Sequence, residues 1–172
     1  MKFLFGVIVG AVLVVAALAA YFVTGMAPAA VNDPPMPFER LIAGAALHAR
    51  IARVKAQESP IPADNKNLLA GADEYNMDCA GCHGLPGQQK TDIAAGMYPH
   101  PPQLFHGEGV TDDSLWEIYW KVDNGIRLTG MPAFKGMLSD TQIWQLSELL
   151  AHANALPDSV KKELAPNAPA PK

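Results

Sequence analysis

The sequence predicts an all-α protein: a transmembrane helix, a short extra helix, then a domain of about three core helices. Three observations carry this. Residues Phe3 to Val23 form an unbroken apolar run without a charge. Farther on, apolar residues recur at i, i+3, i+4 and i+7, as in Leu115, Ile118, Tyr119 and Val122, and these stretches carry helix start and stop signals. No sustained period-two alternation and no internal repeat is found along the chain.

The length of 172 residues suits one domain plus attachments. At about 1.5 Å per residue the apolar run spans roughly 31 Å, enough for the hydrocarbon core of a bilayer. Lys2 precedes it and the next charge is Asp33, so the positive-inside rule puts the short N-terminus in the cytoplasm and the rest outside. A cleaved signal peptide competes, with small residues at Ala17–Ala20 and Ala27–Ala30 as cleavage sites. The run is longer than a signal core, which favours an uncleaved anchor over residues 1–25. Residues 26–63 read as a linker with a short helix. Asn32-Asp33-Pro34-Pro35-Met36-Pro37 cannot continue the membrane helix, and a second helix is expected from near Pro37. Its Phe38, Leu41, Ile42, Ala45, Ala49 and Ala52 share a side, and Arg50, Arg53 and Lys55 suit its C-terminal end. A spacer role is favoured over a basic helix lying on anionic lipid, for which three cations are thin support.

Residues 64–157 form the expected domain. A helix from about Asn65 to Asn76 puts Leu68, Ala72 and Tyr75 on one face, with Gly71 inside it at a cost of up to about 1 kcal/mol against alanine, which asks for a packing reason. A loop of about two dozen residues follows Gly84. Thr111 is the expected N-cap of the next helix, which ends at Asn124 with Gly125 as a left-handed stop. Trp116 and Trp120 flank its apolar stripe. Ser139 and Gln142 form a capping box, with Leu138 and Ile143 as a hydrophobic staple, for a last helix over about Asp140–Ala155 with Ile143, Leu146, Leu149, Leu150 and Ala153 buried. Residues 158–172 are expected to be a largely disordered, proline-rich tail.

The chemistry concentrates in Cys79-Ala80-Gly81-Cys82-His83. This is C-x-x-C-H, the attachment signature of a c-type haem. On a helical turn, positions i, i+3 and i+4 share a face, so two thiols can reach two vinyl groups while the imidazole reaches the iron. These are the only two cysteines. A zinc site usually needs four ligands, and no second C-x-x-C or H-x-x-x-H is present. A thioredoxin-like dithiol would need a βαβ context that the sequence lacks. One such motif implies one haem.

Residues 71–84, Gly71 to Gly84 around that motif, resemble the start of a class I cytochrome c domain, and Asn124-Gly125-Ile126-Arg127-Leu128-Thr129-Gly130-Met131-Pro132-Ala133-Phe134 resembles that family's sixth-ligand loop. The likeness covers about residues 64–156. It implies a cytochrome c fold around one covalently bound haem c, attached outside the cytoplasmic membrane. It further implies a helix crossing at Gly71 and Tyr75, although this chain has Leu149 where the family often has an aromatic. In Tyr98-Pro99-His100-Pro101-Pro102-Gln103-Leu104 it assigns to Pro102 the carbonyl that accepts the N–H of the proximal histidine, an interaction that orients the ring and raises its basicity. An ordinary proline-rich loop is the plainer reading of that stretch.

A six-coordinate iron would need a distal donor besides His83. Met77, Met97, Met131, Met137, His48, His100, His106 and His152 are the candidates. Met131 is favoured because Gly125 and Gly130 let the backbone bend close, Pro132 stiffens the turn, and the stretch matches the family loop. Iron ligation by His83 and Met131 raises the reduction potential and suits single-electron exchange. Arg127 and Asn124 are candidates for holding a haem propionate, a solvated surface role being equally open to the arginine.

From Asp64 to Leu164 the sequence holds seven Lys and Arg against fourteen Asp and Glu, a net of −7. Nucleic acid is therefore excluded as a partner, and a redox protein with a basic patch is favoured. With no nucleophile–base arrangement or phosphate loop, the chain reads as an electron carrier and not an enzyme. It would be a membrane-anchored monohaem cytochrome c, single-pass in the cytoplasmic membrane with its haem domain on the periplasmic or extracytoplasmic side. It would serve exported or membrane redox proteins, alone or within a larger respiratory or dehydrogenase complex. The competing class is a haem sensor or peroxidase-like enzyme with an open distal site.

Overall fold

The computed structural model describes residues 2–105 and 112–165, and the chain divides into two compact units at Ala46/Leu47. The first unit is dominated by α1, Lys2–Val23, 22 almost wholly apolar residues with no buried side chain. A helix of this length and composition is compatible with a single-pass membrane anchor. It closes at Thr24, whose hydroxyl donates to the Ala20 carbonyl, and Asp33 then accepts the backbone N–H groups of Ala29 and Ala30 at 2.8 Å each. The second helix, α2, runs Glu39–Ile51 and begins two residues after Pro37, since Phe38 sits at φ +63°, outside helical geometry.

The second unit is all-helical among the described residues and is built on two helices that cross at a glycine. α3, Asn65–Glu74, starts where Asp64 accepts the Asn67 N–H at 2.9 Å. α7, Asp140–Ala151, starts with the expected capping box of Ser139 and Gln142. A Cβ at Gly71 would overlap the Gln145 carbonyl and come within 3.1 Å of the Leu149 Cβ, so this position lets the two backbones touch. Tyr75 finds its aromatic partner in the following loop: its ring meets Phe105 edge-on at 4.9 Å. α6, Leu115–Asn124, packs on α7 through its predicted stripe. Trp116, Tyr119 and Trp144 stack between them, with centroids 4.1 Å apart for Tyr119 and Trp144.

Four boundaries differ from the sequence expectation. The first helix of the domain does not end at Asn76. It widens into one π-helical turn, Tyr75–Cys79, and continues directly as α4, Ala80–His83. The long loop after Gly84 contains a short helix, α5, Asp92–Ala95, capped by Thr91. The cap of α6 is Ser114, whose Oγ accepts the Glu117 N–H at 3.2 Å; Thr111, the expected cap, and His106 lie outside the described residues. Finally, α7 stops at Ala151 and is followed by a 3-10 turn, Ala153–Ala155.

The tail expectation is corrected for residues 158–165. Asp158–Glu163 forms α8, packed on α3, with Val160 and Leu164 fully buried. Ser159 Oγ donates to Asn65 Oδ1 at 2.6 Å and Asn76 Nδ2 to the Glu163 carbonyl at 2.9 Å. Two buried side chains at i and i+4 and two tertiary hydrogen bonds hold a six-residue helix that could not persist alone. Residues 166–172, the proline-rich end, lie outside the described residues.

Candidate haem site

The π turn and α4 deliver Cys79, Cys82 and His83 together to the wall of one cavity of about 360 Å³. The other walls come from the loop after α5 (Met97, His100, Pro102 and Leu104), from α6 (Ile118, Lys121, Val122) and from the loop after α6 (Ile126, Thr129, Gly130, Met131, Phe134), with Leu150 of α7 beneath. Most of these groups are apolar. A cavity of this size and polarity suits a large flat apolar cofactor with a few polar anchors.

The turn that carries the thiols is held at both ends. Tyr75 donates its hydroxyl to the Gly84 carbonyl at 2.6 Å, spanning the whole motif, and burial pushes its phenol pKa up. Gly84 sits at φ +75°, a backbone shape that favours glycine, while a Cβ there would meet only the movable end of the Gln103 side chain, at 2.7 Å from Nε2. Thr91 Oγ1 donates to the Gly81 carbonyl at 2.9 Å, tying α5 to α4. Burial, aided by the charges of Asp78, Cys82 and Glu74, pushes the Cys79 thiol up to about 12. A thiol held protonated is the opposite of the low-pKa thiolate of a redox dithiol. Nor is any group of three or more His, Cys, Asp and Glu gathered for a metal among the described residues.

His83 Nδ1 lies 2.8 Å from the Pro102 carbonyl oxygen. A carbonyl only accepts, so Nδ1 carries the proton and Nε2 keeps its lone pair. Burial lowers the imidazole pKa, the Pro102 contact opposing it in part, which favours the neutral ring that a metal requires.

The second sulfur side of the cavity is built by a loop that closes on itself. Gly125 ends α6 at φ +64° with an extended ψ of −177°, not the left-handed turn expected, and a Cβ there would come within 2.6 Å of the Pro132–Ala133 backbone. Across that contact, Phe134 N–H donates to the Val122 carbonyl and Ile126 N–H to the Met131 carbonyl, at 3.1 and 3.3 Å. Thr129 Oγ1 donates to the Ile126 carbonyl at 2.6 Å and accepts the Met131 N–H at 3.1 Å. Met131 is half-buried at the cavity as a result.

The structure thus brings Cys79, Cys82, His83, Pro102 and Met131 to one cavity. Arg127 is exposed and is not in its wall, and Asn124 instead binds the Trp120 carbonyl and Asp123. Met97 and His100 line the cavity too, the Met97 sulfur packing where a Gly130 Cβ would be. Met77 and Met137 are exposed. Neither Trp116 nor Trp120 lines the cavity. Asp113 and Lys121 in the wall were not read from the sequence, although Lys121 follows Ile118 by three residues and adjoins Val122, so it shares their side of α6.

The donor set fits a covalently held haem: two thiols and a neutral imidazole on one helical turn, with a thioether across an apolar cavity. Residues 66–150 match the family model described as cytochrome c oxidase, cbb3-type, subunit III. Among curated proteins none matches the chain. Among solved structures, a chain of the reducing HAO-like protein complex of Kuenenia stuttgartiensis is similar at 24 % identity and a TM-score of 0.48, covering 55 % of this chain and 46 % of that one. This chain therefore spans about half the length of that neighbour. The segment from 66 to 150, which holds the thiol pair, the imidazole and the loop closing on Met131, is a cytochrome c domain.

Proposed function

We propose that the chain is a membrane-anchored monohaem cytochrome c that passes single electrons between exported or membrane redox proteins. Cys79 and Cys82 would hold the porphyrin as thioethers, and His83 Nε2 and Met131 Sδ would be the ligands to its iron. The observation that supports this most is that one cavity gathers these four groups, with the His83 ring fixed by the Pro102 carbonyl. Bound there, the haem supplies reversible one-electron exchange between Fe(III) and Fe(II). The chain does the rest. The π turn and Tyr75 fix the thiols, Pro102 fixes the ring, and the hydrogen-bonded Ile126–Met131 loop holds a weak sulfur ligand in place. A loop so closed keeps exogenous ligands out, which favours a carrier over an enzyme or sensor.

Helix α1 anchors the domain, with the haem domain on the extracytoplasmic side of the cytoplasmic membrane by the Lys2 argument. The −7 balance of the domain favours a partner with a basic surface, as a free redox protein or as a neighbour in a respiratory or dehydrogenase complex. The test is carbon monoxide added to the reduced protein at neutral pH. No binding, together with a sulfur–iron charge-transfer band in the oxidised protein, is expected. Ready binding and no band would instead favour the open-site alternative. Intact mass of the mature protein tests the anchor: a soluble form beginning near Ala27–Val31 would overturn it.

A further inference from the structure

The wall contributed by α6 holds a fixed charge cluster. Among the described residues lining the cavity, Lys121 is the one Lys or Arg, while Asp78 and Asp113 are the carboxylates. The Lys121 side chain is only 18 % exposed. Its Nζ lies 2.7 Å from Asp113 Oδ2 and 3.0 Å from Glu117 Oε1, whose side chains are 21 % and 18 % exposed. Glu117 Oε1 is also 3.2 Å from His48 Nδ1. Burial acts to raise the Glu117 pKa, yet the hydrogen bond and charge of Lys121, with His48 behind them, hold the carboxyl below its usual range. The cluster is thus one ammonium shared by two carboxylates. By contrast Lys135, paired to Asp123 at 3.4 Å, is 76 % exposed and lies outside the cavity wall.

Resting on the haem reading above, we propose that Lys121, clamped in the cavity wall by Asp113 and Glu117, sets the reduction potential of the bound cofactor through its charge. Reduction adds one electron, with no bond made or broken, so the charge on the cofactor falls by one. A nearby cation favours the reduced state and raises the potential, and a nearby carboxylate does the opposite. The clamp matters because an unpaired lysine swings its head into water, where its field is screened. Held between two half-buried carboxylates, the charge keeps a fixed place in a medium of lower dielectric than water.

The experiment is a spectroelectrochemical titration of the haem-loaded, full-length protein in detergent. Lys121→Met removes a positive charge and lowers the midpoint potential; Asp113→Asn removes a negative one and raises it. The double variant Asp113→Asn/Lys121→Met returns towards the wild-type value, Lys121→Arg stays near it, and Lys135→Met does not move it. Lys121→Gln, read in the same way, serves should the methionine variant not accumulate. Equal-sign shifts in Lys121→Met and Asp113→Asn would mark a packing effect and overturn the proposal, as would unchanged potentials in variants with wild-type spectra. A wild-type protein carrying no covalent haem would sink the haem reading, and this proposal with it, a result the absorption spectrum distinguishes before any titration.

Discussion

The two sides of the cavity are built on different principles. The proximal side is a rigid turn inside a helix that runs from Asn65 to His83, braced by Tyr75 on Gly84 and by Pro102 on His83. The distal side is an irregular loop whose geometry rests on its own backbone contacts and on one hydroxyl, that of Thr129. A covalent site needs reactive groups at fixed spacing, which a helix supplies. Under the proposed assignment of Met131 as iron ligand, a weak sulfur donor would need a closed loop, because its intrinsic affinity for iron would not hold it there. Attachment is thus expected to depend on the proximal side, and potential and ligand access on the distal side.

The largest effect is expected on attachment. The double variant Cys79→Ala/Cys82→Ala should yield almost no stable holoprotein, read by haem stain and intact mass, because the cavity then loses the cofactor its loops pack on. Normal amounts of tightly folded, haem-free variant would break the comparison at its proximal end. Next, Met131→Ala should attach haem normally yet lose the sulfur–iron band, fall in potential and bind carbon monoxide when reduced. Met131→His should stay six-coordinate at a lower potential, since imidazole favours Fe(III) more than a thioether does. Met97 also lines the cavity and is the sharpest competitor: a band that survives in Met131→Ala but vanishes in Met97→Ala would reassign the ligand.

A smaller effect is expected from Thr129→Val, which removes both hydroxyl bonds while keeping shape. It should cost about 1–2 kcal/mol of loop stability, seen as loss of the sulfur–iron band at lower temperature with attachment unchanged. The smallest belongs to Pro102→Ala. The carbonyl that accepts from His83 belongs to the backbone and survives, so only a conformational penalty of roughly 0.4–1 kcal/mol is expected from the freer unfolded chain. A spectrum as perturbed as that of Met131→Ala would show that the ring of Pro102, and not its carbonyl, organises the proximal side.

Much of this was legible because it is local. The C-x-x-C-H spacing, the Ser139–Gln142 capping box and the stripe Leu115-Ile118-Tyr119-Val122 each reflect helical geometry within a few residues. The misses depend on tertiary packing. Val160 and Leu164 make a two-point contact that only α3 turns into a helix, so composition alone made that segment look like tail. Lys121 lies at the edge of its helix's apolar stripe, and whether such a position meets cavity or water is decided by the neighbouring loop and not by period.

The π turn between Tyr75 and Cys79 has a consequence for how the two functions of one helix are kept in phase. In a straight α-helix each residue advances about 100°, so the buried face of Leu68, Gly71 and Ala72 would dictate the bearing of every later side chain. The wide turn absorbs one residue without breaking the helix, and it rotates the Cys79–His83 segment relative to the face that packs on α7. The packing face and the attachment face are therefore separate settings on one rod, with the wide turn as the coupling between them. Removing a residue there would leave every side chain chemically competent while aiming the thiols and the imidazole about a quarter-turn astray.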